Sequence, residues 1–292
     1  MHKFLDKYKN YLQYERNYSV HTVDAYISDI EQFIEWGAVN VHDIDADTVR
    51  RWMMELMDAK VKASSVNRKL SALQNFFRHL KREGIIDTQP LKSVTGPKKP
   101  NMLPHFVKEK DMNEILDAEV AENNFTAVRD NLMTEMLYQT GIRCSELTGI
   151  RDADIDMDAM TLKVTGKRNK QRIIPFADRL KGLLDTYINV RAREAEAPAG
   201  GAFFIRRDGR PLTSAIVYYS IKKKLSCVEA LGKRSPHVLR HTFATSMLNG
   251  GAEMSSVRTL LGHSSLASTS IYTHLTFEEL KKQYHLHPRN KK

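Results

Sequence analysis

Apolar residues in the first hundred positions recur at spacings of three and four, which is the period of amphipathic helices. The pattern predicts three helices, of which the first begins after Ser19 and stops at Gly37 and the third runs from near Ser64 to Gly84. We interpret the apolar stripes as core positions of an all-α region: Val23, Tyr26, Ile27, Ile30, Phe33 and Ile34 in the first helix, Val49, Trp52, Met53 and Leu56 in the second, and Val66, Leu70, Leu73, Phe77 and Leu80 in the third.

After residue 104, short β-type segments join the helices. Residues 161–164 and 172–175 flank a turn at 166–169 and predict a β-hairpin, and residues 203–205 predict a short strand. Two helices are marked by the apolar sets Met112, Ile115 and Leu116, and Leu132, Met136 and Leu137, the second of which stops at Gly141. Helical patterns return from Leu212, so this region is predicted to mix helices with a small sheet.

Residues 95–100 read Thr-Gly-Pro-Lys-Lys-Pro, which combines turn formers with positive charge and shows no apolar period. The 292 residues, of which 41% are hydrophobic, are enough for two domains with buried cores. We therefore expect a helical domain over residues 1–95, a linker over 96–104 and a mixed α+β domain over 105–292.

The balance of charge narrows the class of partner. Lys and Arg outnumber Asp and Glu by 45 to 35, and the net charge of +10 favours a polyanion, with nucleic acid as the first candidate, although many proteins are simply basic. The two cysteines, Cys144 and Cys227, do not make a disulfide framework and fit a reducing cytosol. No apolar run is long enough to span a membrane, and the start does not resemble a signal peptide. We expect a cytoplasmic protein with no membrane partner.

Positive charge is concentrated in two stretches. Around the third helix the bases are opposed by Glu83 alone, and in the hairpin the five Lys and Arg residues from 163 to 172 meet no acid. A charge run is usually a solvated face, but the dominance of one sign favours contact with phosphates. The bases around the third helix are Lys60, Lys62, Arg68, Lys69, Arg78, Lys81 and Arg82.

Five short motifs hold residues that can carry chemistry. They are residues 140–147, 166–167, 237–241, 261–263 and 271–274. Taken singly, each has an ordinary interpretation. Arg143 can pair with Glu146 on a helix surface, Lys167 can be a turn lysine, and Tyr272 can be a half-buried packing residue.

Together the motifs resemble the signature of the tyrosine recombinase family, also called phage-integrase-like recombinases. In that signature an Arg within Gly-Ile-Arg-x-Ser-Glu-Leu precedes a hairpin Lys, then His-x-x-Arg, then Leu-Gly-His, and finally a Tyr nine residues after that His. All six positions are filled in order, by Arg143, Lys167, His237, Arg240, His263 and Tyr272. The resemblance covers nearly the whole chain, because residues 67–73 also look like the family's core-binding domain.

The resemblance implies DNA strand transfer through a covalent protein–DNA bond. Tyr272 is then the nucleophile that forms a 3′-phosphotyrosine bond. The phosphorane-like transition state carries extra charge on its equatorial oxygens, which the planar guanidinium groups of Arg143 and Arg240 are suited to bind. His263 adds a third donor to the same oxygens.

Proton transfer is implied for two further residues. A phenol is protonated at neutral pH, so the attack needs His237, either as a general base or as an orienting group. Lys167 protonates the departing 5′-oxygen, and Glu146 has a supporting role in which it orients Arg143 or the adjoining helix. Because the ester conserves the bond energy, the resemblance implies no metal, no ATP and no other cofactor. It also marks residues for DNA contact: Asn67, Arg68, Lys69, Arg168, Lys170 and Arg172.

Two other site chemistries compete on the same motifs. His237 and His241 are four residues apart and can grip zinc on one helix face, but Arg240 lies between them and the helix lacks the Glu of a His-Glu-x-x-His protease site. Cys144 beside Arg143 can have a lowered pKa and act as a nucleophile, but no Cys-His-Asn pattern accompanies it. Packing is the interpretation we prefer for Cys144.

Within the family, the length and the residues from 271 to 289 look most like the Xer branch. That resemblance implies resolution of chromosome dimers by a homo- or hetero-tetramer on double-stranded DNA, with a septal DNA translocase as a possible activator. The alternatives are an integrase or resolvase of a mobile element, a type IB topoisomerase, and a catalytically silent DNA-binding protein. The expected fold is an all-α, SAM-like core-binding domain and a mixed α+β catalytic domain of the tyrosine recombinase fold, closing as a C-shaped clamp on DNA.

The end of the chain carries one more apolar stripe. Phe277, Leu280 and Tyr284 recur at spacings of three and four, beside Lys281 and Lys282. A helix this short needs a groove in which to bury its stripe. The resemblance implies docking into a neighbouring subunit, and the alternative is packing on its own subunit.

Overall fold

A computed structural model describes residues 1–37, 40–98, 105–121, 123–166, 169–197, 199–229, 231–262 and 277–290. The chain divides into two compact units, Met1–Met102 and Leu103–Lys292. In the described part of the chain, no helix combines the length and apolar character needed to cross a membrane.

The first unit is all helical, and the three predicted helices are confirmed. Ser19 caps the first of them, because its hydroxyl accepts a hydrogen bond from the Thr22 amide at 3.3 Å. Asp45 caps the next helix through the Thr48 amide at 2.8 Å. A short helix and a π-helical turn, Tyr11–Glu15, precede them. The α-helices are α1 (Leu5–Asn10), α2 (Val20–Glu35), α3 (Ala46–Asp58) and α4 (Ala63–Arg82).

The core of the first unit is built from the predicted stripes. The five stripe positions of α4, from Val66 to Leu80, are all buried, and Trp52 of α3 packs its ring 4.9 Å from that of Phe33 in α2. Tyr26, Ile27 and Leu56 are only half buried at the edge of this core. The helical period therefore predicted which faces pack together.

The second unit combines eight described helices with a small antiparallel sheet of order β1-β2-β3. The predicted hairpin is confirmed as β2 and β3, which pair Lys163 with Ile173 and Val164 with Arg172. Strand β1 is an addition that the sequence did not predict. The elements are α5 (Glu109–Asp117), α6 (Phe125–Thr140), α7 (Cys144–Thr148), β1 (Ile155–Asp156), β2 (Thr161–Thr165), β3 (Gln171–Pro175), α8 (Asp178–Glu194), α9 (Ser214–Lys224), α10 (Pro236–Asn249), α11 (Met254–Leu261) and α12 (Phe277–Tyr284).

The strand predicted at 203–205 is wrong. Ile205 makes only an isolated bridge to Pro211, and Phe203 lies in an irregular segment. The Tyr187 hydroxyl on α8 donates to the Phe203 carbonyl and accepts from the Ile205 amide, both at 3.2 Å. The apolar run predicted burial correctly, but the Tyr187 hydroxyl and single backbone bonds, such as that from the Phe203 amide to the Ile150 carbonyl, satisfy this backbone in place of a regular strand pair.

In this structure of a single chain the C-terminal helix α12 packs on its own unit, and docking in a neighbouring subunit stays a prediction. Leu280 and Tyr284 belong to the core of the second unit, and Tyr284 is 1% exposed. Beyond the helix, Arg289 donates to Glu135 of α6 at 3.0 Å and to Asp117 of α5 at 3.0 Å. Two residues of the stripe, Leu280 and Tyr284, are therefore buried within this unit, whereas Phe277 is 38% exposed.

Candidate active site

The first arginine of the motifs is placed by a glycine that ends α6. Gly141 has a φ of 61°, the left-handed conformation in which glycine commonly ends a helix. A Cβ at this position would lie 2.4 Å from the Phe243 ring and 2.8 Å from Leu261, so no other residue fits without displacement. The chain then turns through Ile142 into Arg143, which is the N-cap of α7.

Glu146 joins two of the arginines. Its carboxylate accepts hydrogen bonds from the Arg143 amide at 2.7 Å and from the Arg143 guanidinium at 2.8 Å. The Arg172 guanidinium donates to both carboxylate oxygens, at 2.8 and 2.9 Å. Burial alone would raise the pKa of Glu146, but the hydrogen bonds from Arg172 and Arg143 outweigh it and lower that pKa to about 2. The carboxylate is therefore ionised, and it orients both guanidinium groups.

Arg240 is held by backbone carbonyls. One of its guanidinium nitrogens donates to the Gly141 carbonyl and another to the Leu261 carbonyl, both at 2.6 Å. The residue is 5% exposed. Burial, followed by the positive charge of Arg143, lowers its pKa to about 10, so it stays protonated at neutral pH. These two contacts tie α10 to the ends of α6 and α11.

The node formed by Arg143, Glu146, Arg172 and Arg240 has a surplus of positive charge. Three guanidinium groups surround one carboxylate, and the pKa of Arg240 responds to the charges of the other three residues. A fixed, partly buried positive site of this kind favours a ligand whose charge is concentrated on a few oxygens. Arg143 is 38% exposed at its side chain, so part of the node is open to such a ligand.

The base of the hairpin lies against the node. Gly166 closes the β2–β3 turn by donating to the Lys170 carbonyl at 2.7 Å. A Cβ at Gly166 would be 3.0 Å from a carboxylate oxygen of Glu146, so the glycine permits this close approach. Lys167, the next residue, lies outside the described residues together with Arg168. The same holds for His263 and Tyr272, although Gly262, which precedes His263, ends α11 with a φ of 64°.

His237 and His241 meet on the first turns of α10. Their Nε2 atoms are 3.1 Å apart, which is hydrogen-bonding distance, and both residues are exposed. Partial burial, followed by the neighbouring charges of His241 and Arg240, lowers the pKa of His237. Among the described residues, no cluster of three or more His, Cys, Asp or Glu side chains could hold a metal, so the zinc alternative gains no support.

Cys144 does not have the properties of a nucleophile. Burial raises the pKa of its thiol, and a weak hydrogen bond from the sulfur to the Ser214 carbonyl, at 3.8 Å, only partly opposes this. A thiol in such surroundings stays protonated at neutral pH. The packing interpretation of Cys144 is therefore favoured.

Three of the residues predicted to contact DNA have partners within the protein, and their contact with DNA stays a prediction. Lys69 is buried and pairs with Asp29 of α2 at 3.0 Å. Asn67 donates to the Ala63 carbonyl at 2.7 Å and to the Pro97 carbonyl at 2.9 Å. Arg172 is bonded to Glu146 and donates from Nε to the Leu260 carbonyl at 2.8 Å.

Arg68 and Lys170 remain accessible. The Arg68 side chain is 46% exposed although it also pairs with Asp29, and Lys170 is exposed. The inward orientation of the Arg172 side chain could have been predicted from the sequence, because strand alternation places Arg172 on the same face as the buried Ile174. Asp29 had no such signal, since it lies 40 positions away from Lys69.

Known proteins match nearly the whole length of this chain. It matches the phage integrase family over residues 105–279 and the phage integrase N-terminal SAM-like domain over residues 5–84. Tyrosine recombinase XerC of Chlorobaculum tepidum is 36% identical over 98% of this chain and 95% of that protein. Tyrosine recombinase XerC of Pediococcus pentosaceus is 36% identical over 97% of this chain and 96% of that protein.

Solved structures share the fold. The XerH site-specific recombinase bound to palindromic difH substrate, in a post-cleavage complex, superposes with a TM-score of 0.71 and 21% identity, covering 92% of this chain and 81% of that one. The family match extends over more than half of the chain, and the curated relatives align with nearly all of it. This chain therefore belongs to the phage integrase family of tyrosine recombinases, in its Xer branch.

Proposed function

We propose that this protein is a site-specific recombinase that cleaves and rejoins duplex DNA through a 3′-phosphotyrosine bond to Tyr272. The hydroxyl oxygen of Tyr272 attacks the phosphorus, and the bond from phosphorus to the 5′-oxygen breaks. The tyrosine proton passes to His237, and Lys167 supplies a proton to the departing 5′-oxygen. Rejoining is the same exchange in reverse, with a 5′-hydroxyl as the nucleophile.

The observation that carries this proposal is the positive surplus of the node. Arg143 and Arg240 are the two guanidinium groups offered to the scissile phosphate, and His263 would be a third donor to the same oxygens. The Arg143 guanidinium donates to the Glu146 carboxylate at 2.8 Å, which orients it. Arg172 donates to the same carboxylate at 2.8 Å and so helps to hold it in place. The planar, delocalised charge of the two guanidinium groups is suited to stabilising negative charge that grows on the phosphate in the transition state.

The test is capture of the covalent intermediate. A nicked duplex that loses its short 5′-hydroxyl fragment after cleavage leaves the protein attached to DNA, and denaturing electrophoresis detects the adduct. We expect the wild-type protein to form this adduct and Tyr272→Phe to bind the duplex without forming it, because Phe lacks only the attacking oxygen. An adduct of undiminished yield with Tyr272→Phe would overturn the assignment of the nucleophile.

The biological role that fits the Xer branch is resolution of chromosome dimers in the cytoplasm. The XerH structure is a complex with its DNA substrate, which supports double-stranded DNA as the partner here. We extend the proposal to assembly of a homo- or hetero-tetramer on that DNA and to activation by a septal DNA translocase. The second candidate, an integrase or resolvase of a mobile element, uses the same chemistry. Sequencing the DNA trapped on the protein in cells distinguishes them, since the first requires a single site near the replication terminus.

Contacts with the DNA backbone are proposed for Arg68, Arg168 and Lys170. Arg68 and Lys170 are exposed enough to approach a phosphate, and the hairpin brings Lys170 next to the node. The helical unit would supply further contacts with the DNA, and residues 96–104 would link it to the catalytic unit. Neutralising one such contact should weaken binding to all sequences alike, because phosphates carry no sequence information.

A further inference from the structure

The histidine proposed to take the tyrosine proton has a second histidine bonded to it. His237 and His241 lie one helical turn apart, with ring centroids 4.5 Å apart and ring planes inclined at 75°. The edge-to-face geometry directs Nε2 of one ring at Nε2 of the other, at 3.1 Å. Among the residues described, no side chain or backbone group hydrogen-bonds Nδ1 of His237. That atom is therefore the nitrogen of His237 left for the substrate.

A hydrogen bond between two imidazole nitrogens needs one donor and one acceptor. The bonded pair therefore has at most one positive charge, because two imidazolium rings would both donate. The surroundings favour the neutral pair. Lys233, which precedes α10, Arg240 on α10 and Arg143 at the start of α7 are all cationic and all act on His237. The ring of His241, in contrast, is open to solvent.

We propose that His241 is a positioning residue that holds His237 by Nε2 and relays to solvent the proton that His237 accepts from the nucleophile. The inference rests on the proposed function, because it extends the role of His237 in cleavage. It gives the second histidine of the 237–241 motif a role in the reaction, although that histidine does not touch the phosphate.

The relay conserves protons at each step. His237 begins with its proton on Nε2 and donates it to the bare Nε2 of His241, whose own proton is on Nδ1. When Nδ1 of His237 takes the hydroxyl proton of Tyr272, the proton on Nε2 moves to His241, and His241 releases its Nδ1 proton to water. The pair ends neutral with both tautomers exchanged, so no positive charge accumulates beside Arg143 and Arg240. Rejoining runs the same transfers backwards.

The test isolates the tyrosine proton by using a duplex with a 5′-thiol leaving group, which departs without the proton that Lys167 supplies. The rate of adduct formation is measured in mixtures of H₂O and D₂O. We expect the wild-type rate to fall as the deuterium fraction rises, and a plot of rate against deuterium fraction to be curved, because several protons move in the same step. For His241→Phe we expect a rate lower by about tenfold and a straight line, because one proton moves. A straight line for the wild type, or the same curve for His241→Phe, would overturn the relay.

Two further variants separate positioning, folding and the proposed function. His241→Gln can accept the hydrogen bond but cannot pass the proton on, so we expect it to recover most of the rate and still give a straight line. His285→Phe, an exposed histidine on the C-terminal segment, is the matched control and should behave as wild type. If His237→Gln forms the adduct at the wild-type rate, the proposed role of His237 fails. If His237→Gln is slow while His241→Phe equals the wild type, the relay alone fails.

Discussion

Both units contain a buried carboxylate that lies between two cationic side chains, Asp29 in the helical unit and Glu146 in the catalytic unit, and these two sites have opposite consequences. In the helical unit Asp29 is 1% exposed at its side chain and pairs with Arg68 and Lys69. In the catalytic unit Glu146 is also 1% exposed and pairs with Arg143 and Arg172. Asp29 of α2 is bonded to residues 39 and 40 positions away on α4, and Glu146 of α7 is bonded to Arg172, 26 positions away on β3, so both carboxylates fasten elements together.

The difference lies in what surrounds each pair. Lys69 is 8% exposed at its side chain and also donates to Gln32, so its ammonium group is turned inward, whereas Arg68 stays 46% exposed. At the Glu146 site a third guanidinium, Arg240, donates to the Gly141 and Leu261 carbonyls and adds a third cation to the single carboxylate. The catalytic unit therefore places three guanidinium groups with one carboxylate, an excess of positive charge that suits an anionic ligand.

The largest expected effect comes from Arg240→Lys. Lysine keeps the charge but cannot reach two carbonyls and a phosphate at once, because it lacks the planar fork. We expect adduct formation on the nicked duplex to fall by about 100- to 1,000-fold, with stability reduced far less. A variant that cleaves within a few-fold of the wild-type rate would show that the carbonyl anchoring has no part in catalysis.

Glu146→Gln should have the next largest effect, this time on stability. It leaves the guanidinium groups of Arg143 and Arg172 without their carboxylate, and we expect a loss of about 3 kcal/mol in the free energy of unfolding. Chemical denaturation of the wild-type and variant proteins measures this loss. Lys163→Ala, which removes a surface pair with Asp154, is the matched control and should cost less than about 1 kcal/mol.

The same residue gives a dependence on pH with a definite sign. The folded protein lowers the pKa of Glu146 from 4.5 to about 2, so the carboxylate binds its proton less readily when folded. Its contribution to stability is complete above pH 4.5 and is lost as the pH falls towards 2. Unfolding free energies between these limits should therefore converge for the wild type and Glu146→Gln. Curves that stay parallel would contradict the pKa assigned to Glu146.

The smallest expected effect separates the two kinds of basic residue. Lys170→Ala should reduce the slope of log affinity against log salt for duplex DNA by about 1, because it removes one phosphate contact. Lys69→Met should leave that slope unchanged, because its charge faces Asp29 within the protein. Titrations at several salt concentrations measure both slopes. Equal slopes for the two variants would remove the distinction between the inward and the outward base.

Much of the fold follows from local pattern. The apolar period predicted α2, α3 and α4, and the turn at 166–169 predicted the hairpin of β2 and β3. The pattern failed at 203–205, where burial was correct but the strand was not, because the Tyr187 hydroxyl takes the place of a second strand. Periodicity reports which face is buried, but it does not report which group satisfies the backbone there.

The sequence by itself determined the chemical types and order of the motif residues, and with them the family and the reaction it performs. It could not determine which cation would face inward. Lys69 and Lys170 look alike in the sequence, but α2 brings Asp29 to Lys69, whereas Lys170 remains exposed. Tertiary structure alone decided this, because an ion pair between distant positions depends on how elements pack. The period of a single helix or strand carries no information about that packing.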